Sequence, residues 1–351
     1  VSQEVLDVRP VVKAVLRNAL KDVRHVRAVA PRGAGEQVAR VYTQIERDFG
    51  VLAPPLALHS PAPEVLAASW LLLREILLVE GRVGRAAKEV VATEVSRANS
   101  CPYCVDVHRA TLRELSDRPD AGSGALGTWA RSSGLLPVPG EPSPPAPFGP
   151  SAAPELYGVA VTFHYINRMV SIYLAGSPVP DQAPGFLRGP ILRTATRAMR
   201  PDGPGPLRPG TSLDLLPDAP LPDGLAWASP NRTVAAALGR AAGAVESAAR
   251  WVPEGVRECL DIHLARWGGR PMGLGRVWLD EAVAGLPAPE VPTARLALLT
   301  AFACHQVTDA DILAFRERHP ADRELIELTS WAALSTALLL GRRFTTAPAS
   351  P

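Results

Sequence analysis

Apolar residues recur along most of this chain at spacings of three and four, the period of a helix that buries one face. Between Gly35 and Gly50, the residues Val38, Val41, Tyr42, Ile45 and Phe49 fall on one stripe, and Gly50 is a suitable stop. Ser60-Pro61-Ala62-Pro63-Glu64 predicts the next start, with Ser60 as N-cap and Pro61 at the first helical position. That helix should reach about Val79 with Leu66, Trp70, Leu73 and Leu77 inward. Further helices are predicted over 85–98, 101–115, 126–131 and 155–174, and then near 232–250, 255–267, 274–283, 293–303, 309–317 and 321–344. No segment alternates with period two for long, so the fold class expected is all-α.

Proline interrupts this pattern twice. Seven prolines fall within 135–150 and eight within 201–230, which excludes helix interior and central strand there. The expected organisation is an N-terminal helical half over 1–200, a proline-rich connection over 201–230 and a C-terminal helical half over 231–351. Leu213, Leu215, Leu216, Leu225 and Trp227 give that connection enough apolar side chains to lie along a surface as a strap. The halves read as two degenerate repeats. Each ends in a long helix begun by Glu-Leu, at Glu155-Leu156 and Glu324-Leu325, and sliding one half on the other sets residues 307–310 near 101–104.

Composition narrows the class. Of 351 residues, 37 are Lys or Arg and 35 Asp or Glu, a net charge of +2 that argues against a dedicated nucleic-acid binder. With 47% apolar and 21% charged residues, wholesale disorder is not expected. Only Lys13, Lys21 and Lys88 are lysines, a bias that reads as genomic composition. The best uncharged run near the C-terminus, 328–341, has 14 residues, short of a membrane span. Residues 1–30 lack a continuous apolar run of the secretory kind, so the expected compartment is the cytoplasm.

Four cysteines remain: Cys259 and Cys304 alone, and the pair in Cys101-Pro102-Tyr103-Cys104. One C-x-x-C in such a chain suggests redox chemistry or a metal. Cys101 falls at a predicted helix N-terminus, where unpaired N–H groups favour a thiolate. His108 follows Cys104 by one turn, setting an imidazole beside a thiol as base beside nucleophile. A carboxylate on the preceding helix would orient it. Level along an antiparallel pair favours Glu89 and hydrophobic phase favours Glu94, so both stay open on the residues alone.

The pattern Glu89, eleven residues, Cys101-x-x-Cys104, three residues, His108 resembles the core of the alkyl hydroperoxidase D-like proteins of the carboxymuconolactone decarboxylase-like superfamily. Ser96, Asn99 and Tyr103 are similar to its peroxidase-related branch, although characterised peroxidases carry histidine where this chain has Tyr103. The resemblance implies an alkyl hydroperoxidase D-like helical bundle; a homo-oligomer is expected, although at roughly double the usual length the chain need not keep the family's oligomeric state. It implies reduction of a hydroperoxide substrate, with Cys104 attacking, Cys101 resolving, and His108 oriented by Glu89. It also implies a dithiol reductant, lipoyl-type or peroxiredoxin-linked. No cofactor is expected. Decarboxylases of the superfamily lack the cysteine pair.

Two other readings of the motif stand beside this one. They are a structural zinc site, although zinc usually draws its ligands from two separate segments, and a non-catalytic redox sensor or scaffold. No metal is expected. His164, Asn167 and Arg168 share a helix face, either as a pocket wall in which Arg168 holds a carboxylate or as a buried polar network. Cys259 and Cys304 read as small buried hydrophobes.

Overall fold

The computed structural model describes residues 20–115, 124–136, 146–179, 184–199 and 205–344. Most of the first proline-rich stretch, the start of the second and the segment read for a secretory leader up to residue 19 lie outside these residues. Fourteen α-helices lie among the described residues: α1 Glu36–Asp48, α2 Pro54–Ala57, α3 Pro63–Leu71, α4 Arg85–Ala98, α5 Pro102–Leu115, α6 Ala125–Ser132 and α7 Ala153–Tyr173, then α8 Gly185–Ala198, α9 Arg232–Ala248, α10 Glu254–Arg266, α11 Val277–Val283, α12 Val291–Phe302, α13 Asp309–Arg316 and α14 Asp322–Gly341. No strand occurs among them, as the periodicity predicted. No helix of the described residues is long and apolar enough to cross a membrane.

Helix α7 is the axis of the architecture. Its residues are buried almost without exception, on every face, which is the expected state of a helix apolar all round. It packs most extensively against α14 and α4, and α4 in turn against α5 and α6. Buried side chains from Val23 to Ala337 form one contiguous core.

Three sequence expectations shift. The third helix begins at Pro63 with Ala62 at its N-cap, two residues later than the Ser60 signal implied. Ser60 is occupied elsewhere: its hydroxyl donates to Ala57 O at 2.6 Å and accepts the Val29 amide at 2.8 Å. The same helix continues from Leu72 to Leu78 as a π-helix. Helix α8 was not expected, because Pro190 and two glycines interrupt its pattern.

The π segment explains how the strap is held. Arg74 Nε donates to Asp48 Oδ2 and Nη1 to Glu75 Oε1, each at 2.5 Å. Glu75 then accepts from the Gly210 amide at 2.7 Å and from the Ser212 hydroxyl at 2.6 Å. A buried carboxylate thus ties residues 210–212 of the strap to the core. The strap lies close on α9: a Cβ on Gly239 would sit 2.5 Å from Ala219 O, so only glycine fits there. Farther on, Trp227 is buried and its indole donates to Gly341 O at 2.9 Å. Replacing Glu75 with alanine strands Arg74 with only part of its partners. We expect a loss of about 3–5 kcal/mol, read from the urea midpoint.

Candidate active site

Helices α4 and α5 form a tight hairpin. Ser100 turns the chain in the left-handed region at φ 54°, a conformation that costs a non-glycine residue about 1–2 kcal/mol and is held by the surrounding bonds. The Cys101 amide donates to Ser96 O at 2.9 Å, and Cys101 O accepts from the Val105 amide at 3.1 Å. Cys101 is therefore the N-cap of α5, with Cys104 in its first turn.

The antiparallel arrangement brings Glu89 of α4 to His108 of α5. His108 Nδ1–H donates to Glu89 Oε2 at 2.7 Å, and Arg85 Nε donates to Glu89 Oε1 at 2.7 Å. Glu89 is fully buried. Such a carboxylate needs charged partners on both oxygens, and these two supply them. Glu94 is engaged elsewhere, with Arg131 at 2.5 Å. The choice left open by phase and level is decided for Glu89. The edge contact of the His108 ring with Phe163, 4.6 Å between centroids, holds the imidazole from the α7 side.

Burial alone would raise the Glu89 carboxyl, but Arg85 and His108 outweigh it and hold it below the usual carboxylate range. Stability from this group is therefore complete above its unfolded-state value and disappears as pH falls through the lower folded value. The difference in unfolding free energy between wild type and Glu89→Gln should be largest above about pH 4.3 and shrink on acidification. Urea unfolding across that range measures it. A difference that grows on acidification would contradict this.

Both sulfurs of the pair are buried and free. They titrate together. A hydrogen bond from Cys104 lowers Cys101, with further help from the Cys104 amide, Ser171 and Asn167. Burial pushes Cys104 up, and the charge on Cys101 adds to this. Of the two, Cys101 is the thiol held lower, as its N-cap position favours, and Cys104 the one held higher.

The two sulfurs have different surroundings. Cys104 and His108 line one narrow, mostly apolar pocket of about 50 Å³ with Phe49, Leu56, Leu73, Tyr103, Ile166 and Met199. Cys101 does not line it. Burial keeps the Tyr103 hydroxyl protonated. The polar face of α7 lies behind the hairpin. Asn99 Nδ2 donates to Asn167 Oδ1 at 2.9 Å, and Asn167 Nδ2 donates to Ser96 Oγ at 3.0 Å. His164 lies 3.0 Å from Ser133 Oγ and is pushed down to about 3 by burial and by Arg168, so it is neutral. His164 and Asn167 thus form the buried network that fixes the turn before Cys101. Arg168 does line a pocket, a second one of about 260 Å³ whose wall includes Asn99, Ser100 and Trp267.

Sequence reasoning missed Arg85, although its i, i+4 spacing to Glu89 was available. It also missed the apolar pocket wall, whose members come from segments far apart and carry no shared signal. Among the described residues no group of three or more His, Cys, Asp or Glu side chains is placed to hold a metal ion.

The carboxymuconolactone decarboxylase family matches residues 63–130, the stretch from α3 through the hairpin into α6. Along nearly its whole length the chain is similar to a Mycobacterium tuberculosis protein described as alkyl hydroperoxide reductase Rv2159c. The two are 38% identical over 336 residues, covering 92% of this chain and 95% of that one.

Proposed function

This chain belongs to the carboxymuconolactone decarboxylase-like superfamily that includes the alkyl hydroperoxidase D-like proteins, and within it we propose that the chain is a thiol-dependent peroxidase. The observation that carries the reading is the shared pocket: Cys104 faces it together with a histidine clamped by a buried carboxylate. The described name of the mycobacterial relative supports the same class of reaction.

With Nδ1 committed to Glu89, Nε2 is the His108 nitrogen left for proton transfer. It takes the proton from Cys104, whose resting protonation makes a local base necessary. The Cys104 thiolate attacks the outer oxygen of the hydroperoxide. An S–O bond forms, the O–O bond breaks, and the alkoxide leaves with the proton held on Nε2 as an alcohol. Cys104 is now a sulfenic acid. Cys101 is the thiol whose titration is lowered, which suits a resolving thiol. Its attack forms the Cys101–Cys104 disulfide and releases hydroxide, which is protonated to water. A dithiol, lipoyl-type or linked to a peroxiredoxin, restores the pair. Tyr103 replaces the histidine of characterised peroxidases, so the relay here is confined to His108.

The test is a peroxide-consumption assay with a dithiol in excess. Steady turnover of many equivalents per chain supports the peroxidase. Oxidation that stops at one equivalent per chain would turn the reading to a redox sensor.

A further inference from the structure

The pocket at Cys104 has a buried part and an open part. Of its eleven lining residues six are buried, Cys104 among them. Pro55, Tyr103, Val107, His108 and Met199 keep partial exposure and so mark its rim. At about 50 Å³ the space holds the equivalent of a few waters, enough for a peroxide group and little beyond it. The rest of a substrate must be accommodated at the rim.

Four of the five rim residues are stiff. Pro55 is locked by its ring. Tyr103, Val107 and His108 stand on one helix, α5. There the branched Cβ of Val107 restricts its rotamers, the Tyr103 ring is rigid, and His108 is held between Glu89 and Phe163. Met199 differs from all of them. Its unbranched thioether turns about three bonds and fits itself to an irregular gap.

Met199 also reaches the rim from a separate element. It closes α8, its amide donating to Ala195 O at 3.1 Å and Thr196 O at 3.2 Å. No other lining residue comes from residues 184–199. Helix α8 packs against α5 and is tied to it at two points. Ser177 Oγ donates to Asp106 Oδ2 at 3.1 Å and accepts from Arg188 Nη2 at 3.1 Å. Farther along, Arg197 Nε donates to Glu114 Oε2 at 3.0 Å. These ties set the backbone of Met199 beside α5 and leave its side chain to adapt.

We infer that Met199 is the specificity-determining residue of this site, selecting hydroperoxides by the bulk of the tail. This deepens the peroxidase reading and rests on it. The thioether fills part of the rim. A small alkyl tail packs against it and leaves the peroxide group free to reach Cys104, and the apolar walls favour such a tail over water. A tail that carries a ring needs the space Met199 occupies, so its peroxide group is held back from the sulfur. The substrate class is therefore the small alkyl hydroperoxides. Discrimination of this kind is a difference in kcat/KM between substrates, and even one methylene in an apolar pocket is worth about tenfold or more.

Two assays on the full chain test this. The first compares kcat/KM for tert-butyl and cumene hydroperoxide, which differ by a phenyl ring in place of a methyl group. The second compares alkylation of Cys104 by iodoacetamide and by iodoacetanilide, which share a reacting group and again differ by a phenyl ring, and is read from the mass of the Cys104 peptide. Wild type should favour the smaller member of each pair at least tenfold. Met199→Ala should cut both preferences at least tenfold by speeding the bulky member, whereas Met199→Leu, of similar volume, should keep them. Preferences in Met199→Ala within threefold of wild type, an equal gain for small and bulky members, or the same loss in Met199→Leu overturns the assignment. Relief of the alkylation preference in Met199→Ala, with neither peroxide consumed by wild type, upholds Met199 as the size filter at Cys104 and overturns the peroxidase reading instead.

Discussion

Cys104→Ser is expected to abolish hydroperoxide consumption, by more than about a thousandfold, since the attacking sulfur is lost and no other described thiol lines the narrow pocket. Cys101→Ser should behave differently. Cys104 still meets the peroxide beside His108, so one sulfenic acid forms per chain, but its resolving partner is gone. A sulfenic-acid-trapping reagent followed by mass measurement distinguishes the two. The opposite shifts of the two thiols, Cys101 down and Cys104 up, make this a demanding test, because a scheme based on thiolate fraction alone would reverse the roles. Equal and stable sulfenylation of both variants would remove the distinction between attacking and resolving cysteine. Sulfenylation of Cys101 in Cys104→Ser, with none of Cys104 in Cys101→Ser, would reverse it.

The next largest effect is expected at His108. His108→Ala removes the group that accepts the Cys104 proton and returns it to the leaving alkoxide, a loss of about 10²–10⁴-fold in the peroxide step. Added imidazole should restore part of that rate, since the cavity left in the pocket wall has the shape of the missing ring. Glu89→Gln should lower the rate less. It retains an acceptor for His108 Nδ1–H at the position now 2.7 Å away but loses the negative charge. As a positioning residue, Glu89 should affect kcat and leave KM for the peroxide nearly unchanged, because it does not line the pocket. Stopped-flow oxidation of the reduced protein gives both constants. A His108→Ala rate within threefold of wild type would eliminate the base.

Several features of this protein are fixed by local sequence. Local pattern placed 85–98, the helix after Cys101 and the long helix near 155–174 almost to the residue, because each pattern is contained in one segment. The C-x-x-C and the His108 spacing are local in the same way: three and four residues along one helix put the groups on neighbouring turns whatever surrounds them. Tertiary structure decided the rest. Glu89 and Glu94 are equally available on α4, and only the lateral position of α5 and the presence of Arg131 assign one to His108 and the other to an ion pair. Within the π turn at Leu72–Leu78, Arg74 and Glu75 meet Asp48 and the strap, partners far away in the chain. Most decisive is the division of the two sulfurs, of which Cys104 lines the apolar pocket and Cys101 does not. Periodicity within a segment records which face is buried. It carries no record of what that face is buried against, and the chemistry of this site depends on those neighbours.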